Sequence, residues 1–239
     1  MLWYNFPVYK SIGALKAECQ SFLKKYEKKH PDVQPIIIEG KKIATTWWVE
    51  AWNKNLERYS DYDNRLSRGR AYVRSGCVID LKICEKEVIA LVKGSSLYRV
   101  KVRIDPLSPS KTKTLSQKCT DKIENINALI AGNFPKEMSE LFLNTKNGLF
   151  PSPREIHFAC DCPDDAYMCK HVAAVLYGIG RRFDDNPLLF FKLRKININE
   201  LIRNSISEKI SGLISKFKQP STRIIENSEI CKLFGLSDE

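Results

Sequence analysis

Between positions 10 and 29 apolar side chains recur at Ile12, Leu15, Cys19, Phe22, Leu23 and Tyr26, with lysines on the opposite positions. That three-and-four spacing predicts an amphipathic helix, and Pro31 ends it. Residues 33–39 form a short apolar run that reads as a strand. A second helix is expected to start after Thr45 or Thr46 and to bury Trp47, Trp48, Trp52 and Leu56. Beyond Asn64 the pattern changes to four β-rich runs, 70–74, 76–84, 87–93 and 97–104, with alternation clearest in the last. The connections at 85–86 and 94–96 are of hairpin length, so an antiparallel meander is the simplest arrangement. Its outward face would carry Arg99, Lys101 and Arg103, a basic ridge at period two. Residues 115–130 and 136–143 return to helical periodicity, with Gly132 and Pro135 between them, and 154–159 reads as extended. Val172, Val175, Leu176 and Ile179 then mark another helix.

These elements predict an α+β fold: N-terminal helices and an antiparallel β-meander over about 70–104, then a helical region carrying a strand–turn–helix module. The polar stretch 107–114, rich in serine and threonine after Pro106, is the candidate linker. It divides a domain over 1–106 from a helical domain over 115–205, and leaves 206–239 as an unassigned tail. At 239 residues the chain is long enough for one large domain or two modest ones.

Composition adds two things. The apolar and charged fractions, 43% and 28%, match an ordinary globular protein, and no apolar run approaches the roughly 20 residues of a membrane span. The N-terminus lacks a basic start and a small-residue cleavage site, so a reducing, cytoplasmic location is expected. The net charge of +11 is a positive field that attracts polyanions, of which nucleic acid is the commonest. Each local basic cluster, taken alone, is also what a solvated face would carry.

Eight cysteines are present, and in a reducing compartment they are ligands, nucleophiles or core residues more often than disulfides. Cys19, Cys77, Cys84, Cys119 and Cys231 are scattered through apolar or helical patterns and read as core. The other three stand in Cys160-Asp-Cys162, six residues, then Cys169-Lys-His171. On a strand, residues two apart share a face, so Cys160 and Cys162 present both thiolates to one point. The six residues between, with Pro163 and two aspartates, suffice to turn back and deliver Cys169 and His171 at a helix start. Three thiolates and an imidazole fill a tetrahedral Zn²⁺ shell and leave no place for a reactive water, which points to one structural zinc ion over about 154–182. Iron and copper fit the donor set less well, and a Cys169–His171 nucleophile–base pair is the weaker alternative. Asp161, Asp164 and Asp165 either orient His171 or balance Lys170. His30 and His157 read as structural or exposed.

With these residues in view the chain resembles the bacterial SWIM zinc-finger family, whose motif is Cys-x-Cys, a variable gap and Cys-x-His before an apolar helix. The likeness extends over Ile43-Ala-Thr-Thr-Trp-Trp48 with Ala51-Trp52, over residues 65–76, over 148–153 and over 169–177, so that 10–205 are covered. The resemblance implies a zinc-stabilised module that binds DNA or protein, often beside a Swi/Snf-type helicase ATPase. No Gly-x-x-x-x-Gly-Lys-Ser/Thr loop occurs in these residues, so such a motor would be a separate polypeptide.

Two functions follow as expectations. The first is a nucleic-acid-binding accessory factor, with DNA ahead of RNA, contacting phosphates through Lys170, Arg181, Arg182 and, across the sheet, Arg68, Arg70 and Arg74. The second is an adaptor that docks the helicase through the finger and the tryptophan helix, which an exposed apolar patch around Trp47 and Trp48 would favour. An enzyme, a small-molecule substrate and a membrane partner are not expected.

Overall fold

The computed structural model describes residues 11–40, 42–58, 63–120, 139–144 and 148–217. Helix α1 (Ile12–Glu27) is capped by Ser11, whose side chain accepts from the Ala14 N–H. Helix α2 (Trp47–Glu57) follows Thr46 and is capped from a distance. The Asp184 carboxylate accepts from the N–H groups of Thr45 (2.8 Å) and Thr46 (3.1 Å) and from the Thr46 hydroxyl (2.6 Å). An anion at a helix N-terminus satisfies orphan donors and the dipole together.

Helix α3 spans Asp63–Arg74, so residues 70–74 are helical where a strand was expected. Tyr72 and Val73 favour strands locally, yet Leu66, Gly69 and Val73 stand at helical spacing and are buried. Gly76 (φ 68°) ends α3: its N–H donates to the Val73 carbonyl and that of Cys77 to the Tyr72 carbonyl.

The meander then runs β1 (Val78–Cys84), β2 (Glu87–Lys93) and β3 (Leu97–Ile104). Its fourth strand comes from much later in the chain: β4 (Ile156–Cys160) pairs antiparallel with β3, giving the order β1-β2-β3-β4. Val88, Val100, Val102, Ile104 and Ile156 are buried on one face, while Arg99, Lys101 and Arg103 are exposed on the other. Residues 33–39 form no ladder strand. They lie beside the free edge of β1, joined by Ile36 N–H to the Val78 carbonyl and Leu81 N–H to the Gln34 carbonyl, and Pro35, which has no N–H, interrupts the pairing.

The stretch expected as a linker is helical from Pro109: α4 spans Pro109–Thr120. Serine at 108 explains the start, since Ser108 accepts from the Lys111 N–H and its carbonyl from Thr112. Helix α5 (Ser139–Leu143) is described in part of the expected 136–143 helix; residues 121–138 lie outside the described ones. After β4 come α6 (Lys170–Asp185), α7 (Leu188–Leu193) and α8 (Ile198–Phe217), the last packed on α4.

Helix α6 is buried along 171–180 and crosses the inner face of the sheet. One apolar core runs from Cys19 to Ile196. At one end Trp48, Trp52, Phe142, Phe150, Phe183 and Phe190 pack ring against ring at centroid distances of 5.1–6.4 Å, and Trp52 donates to the Leu176 carbonyl. The tryptophans are therefore core, Trp48 fully buried and Trp47 half-buried against Phe142. No helix among the described residues is long and apolar enough to cross a membrane.

Candidate metal centre

Strand β4 delivers the first pair of donors. Cys160 stands opposite Val100, and Asp161 extends the pairing: its N–H donates to the Arg99 carbonyl at 3.3 Å and its carboxylate accepts from the Arg99 N–H at 2.9 Å. The chain is thus held in line through Cys160 as it leaves the sheet. Asp164 then accepts from the Ala166 N–H and from Arg65 (3.0 Å), a short side-chain turn. The Tyr167 hydroxyl donates back to the Ile156 carbonyl at 3.0 Å, and its ring lies 5.1 Å from that of Phe158. Buried Met168 fixes the return.

Cys169 is the N-cap of α6, its sulfur accepting from the Val172 N–H at 3.5 Å. The first turn of that helix carries His171. One donor atom from each of Cys160, Cys162, Cys169 and His171 lies within 4.8 Å of all the others. His171 Nδ1 is 3.9 Å from both the Cys160 and the Cys169 sulfur. Donors ~2.0–2.3 Å from one tetrahedral ion stand ~3.5–3.8 Å from each other, so the cluster closes on zinc with a contraction of at most ~1 Å.

The electrostatics favour a cation. The Cys169 thiol is pulled down by the Cys160 thiol that donates to it, against the opposing effect of burial, with help from His171 and the Val172 N–H. The helix N-terminus favours the same thiolate. Cys160, as the donor in that pair and partly buried, is pushed up, and Cys162 is raised by burial. Three thiolates this close repel one another unless a dication neutralises them. Three sulfurs and one nitrogen fill the tetrahedron, so the donor set suits a structural ion.

Asp161 serves β3 and Asp164 serves Arg65, and among the described residues none of Asp161, Asp164 and Asp165 is seen bonded to His171 or paired with Lys170. Lys170 lies over the Tyr72 ring, 5.8 Å from its centroid. Of the other basic residues, Arg68 and Arg74 are exposed on α3. Arg70 pairs with Glu57 at 2.8 Å and covers the Tyr177 ring. Arg181 pairs with Asp185 at 2.9 Å, and Arg182 donates to the Gln34 and Pro35 carbonyls. Burial lowers the pKa of Arg182. His30 stacks on Tyr26, and exposed His157 lies 3.7 Å from Asp105. Cys19 and Cys77 are buried as expected, but Cys84 is exposed at the end of β1; Cys231 and the Cys119 side chain lie outside the described residues.

Sequence reasoning missed the residues that enclose His171 from the other half of the chain. Its ring lies 4.4 Å from that of Tyr98 and 5.5 Å from that of Tyr72, and Gly94 closes the remaining side. It also missed Arg194, which is fully buried and donates to Glu155 at 3.0 Å and to the Asp105 carbonyl.

Residues 159–178 match the SWIM zinc finger family. With the Cys₃His cluster, this makes the segment a zinc-binding module. The chain is also similar to an uncharacterized protein of Mycobacterium tuberculosis, Rv2102, at 33% identity over 173 residues, which are 71% of this chain. It spans 62% of that relative's length. No solved structure matches the chain.

Proposed function

We propose that the chain is a non-catalytic, nucleic-acid-binding accessory factor that works with a separate Swi/Snf-type helicase ATPase, with DNA as its polyanion. The observation that carries this reading is the set of cations on α3, at the start of α6 and on the outer face of the sheet. Arg68 and Arg74 are exposed on α3, and Lys170 opens α6, while Arg99, Lys101 and Arg103 are exposed on the outer face of the sheet. Lys101 is drawn to Glu87 at 2.7 Å, which leaves Arg99 and Arg103 as the stronger candidates on that face. The chain-wide charge of +11 supplies the long-range attraction. Arg70, Arg181 and Arg182 serve first as internal braces, so phosphate contact falls chiefly to the others. The metal takes no part in chemistry, because its four positions are taken by protein donors. The helicase partner rests on the resemblance to the SWIM family.

An adaptor role has one observation of its own. The tryptophans offer no patch, but Ile210, Leu213 and Ile214 near the end of α8 are each about 50% exposed. Such a cluster suits a protein partner.

The test is binding of the zinc-loaded chain to a random DNA duplex across a salt series, beside Arg68→Ala/Arg74→Ala. Steep salt dependence, with the slope reduced by ~1 for each phosphate contact removed, is the expected result. Absence of binding at low salt would put the adaptor reading in its place.

A further inference from the structure

When Nδ1 of His171 binds the metal, the imidazole proton sits on Nε2. A metal-bound imidazole ordinarily donates that N–H to a carboxylate, a carbonyl or water, which fixes the ring. Nε2 is buried and, among the described residues, has no hydrogen-bond partner. Something else must fix the ring, and what surrounds it is shape. The Tyr98 ring lies against the imidazole, tilted by 32°, and Tyr72 meets it edge-on at 68°. At Gly94 a Cβ would stand 2.9 Å from Nε2 and 2.9 Å from Cε2 of Tyr98, closer than real Cβ atoms approach. Neither neighbour can yield cheaply, since both rings are packed into the same corner.

The clamp is itself braced. Gly94 donates its N–H to the Ser96 carbonyl at 2.8 Å, which tightens the β2–β3 turn, and the Tyr98 and Ser95 hydroxyls share a hydrogen bond at 2.6 Å. Tyr72 is carried by α3.

We propose that Gly94 and Tyr98, with Tyr72, are positioning residues for the zinc ligand His171. They hold the imidazole by steric enclosure in place of the usual hydrogen bond, so the metal affinity of the 159–178 module depends on a hairpin that precedes it in the chain. The proposal stands on the zinc site and is independent of nucleic-acid binding.

The test uses the full chain carrying Gly94→Ala, Tyr98→Leu, Tyr98→Phe or Val88→Ala, the last a buried β2 position that serves as a destabilised control. Zinc affinity is read by competition with a chromophoric chelator, and ligand geometry by the visible spectrum of the Co²⁺-substituted protein. Gly94→Ala and Tyr98→Leu are expected to lose ~10–100-fold in affinity, the scale of second-layer changes at metal sites, and to alter the cobalt bands. Tyr98→Phe, which keeps the ring, and Val88→Ala should keep parental affinity and spectrum. Parental affinity in Gly94→Ala and Tyr98→Leu, or an equal loss in Val88→Ala, would overturn the proposal, and a parent chain without zinc would overturn it together with the site.

Discussion

Cys169 does two things at once: it caps α6 and offers a sulfur to the metal. Serine separates them, because its hydroxyl caps a helix well but is a poor zinc donor. Cys169→Ser is expected to lose stoichiometric zinc while keeping the cap, and Cys169→Ala to lose both. In metal-free protein, urea unfolding should therefore place the alanine variant ~1 kcal/mol below the serine variant, the usual worth of an N-cap. Equal stabilities would remove the capping role. The four donors were legible in the sequence because they lie within 160–171 and their spacing alone brings two pairs to one point. Gly94, Tyr98 and Tyr72 were not, since their relation to His171 exists only after β2, β3 and α3 have packed against α6. A glycine in a hairpin and two tyrosines carry no local mark of that duty.

The elements were legible where periodicity was long and failed where it was short. Helices α1, α2 and α6 and strands β1 to β3 follow their patterns, whereas a five-residue window at 70–74 favoured the β-branched and aromatic residues over the helical spacing that extends back to Leu66. What decides α3 is its crossing with α6. A Cβ on Gly69 would stand 2.5 Å from Cβ of Ala173, so the two helices meet there without room for a side chain. Gly69→Val is expected to cost ~1–3 kcal/mol through overpacking, even though valine is the better helix former, and thermal unfolding measures it. The ion pair between Glu155 and Arg194 joins the start of β4 to the end of α7 and was equally invisible, being a pairing across the chain. Burial alone would raise the Glu155 carboxyl, but hydrogen bonds from Ser152 and Arg194 outweigh it and hold the group at about 2, below its ordinary 4.5. A depressed folded-state value means the contribution is complete above pH ~4.5 and is lost as the pH falls toward 2. Glu155→Gln should therefore be less stable at neutral pH and flatter between pH 4.5 and 2, while Arg194→Ala, which leaves the carboxylate with Lys111 at 3.4 Å and the Ser152 N–H, should cost less than the ~3 kcal/mol of an orphaned buried charge. Urea midpoints measured across that range would check both, and an unchanged slope in Glu155→Gln would remove the pair from the acid sensitivity.

At the scale of the molecule, the metal corner is continuous with the rest of the fold. The strand that supplies Cys160 is the fourth strand of the sheet built by β1 to β3, and the helix that supplies His171 is the element on which that sheet, α2 and α3 all pack. Composition suggested a break at 107–114, because serine, threonine and proline read alike in a linker and in a helix N-terminus. The packing across that stretch is what periodicity could not reveal: Arg194 donates to the Asp105 carbonyl, the Leu107 N–H to the Arg194 carbonyl, and the Asp105 N–H to the Glu155 carbonyl. Zinc binding to such a corner adds its free energy to the folding of everything that shares the core, since the four donors converge only in the folded chain. Chelation should then lower the midpoint of the cooperative transition that melts the sheet and α6, with hydrogen exchange rising in β1 to β3 as well as in 159–178. A finger that merely hung from the sheet would behave otherwise, with exchange rising in 159–178 alone and the midpoint of the sheet unmoved. Exchange followed by mass spectrometry before and after chelation separates the two, because the peptides of β1 to β3 contain none of the four donors and respond only through the shared core.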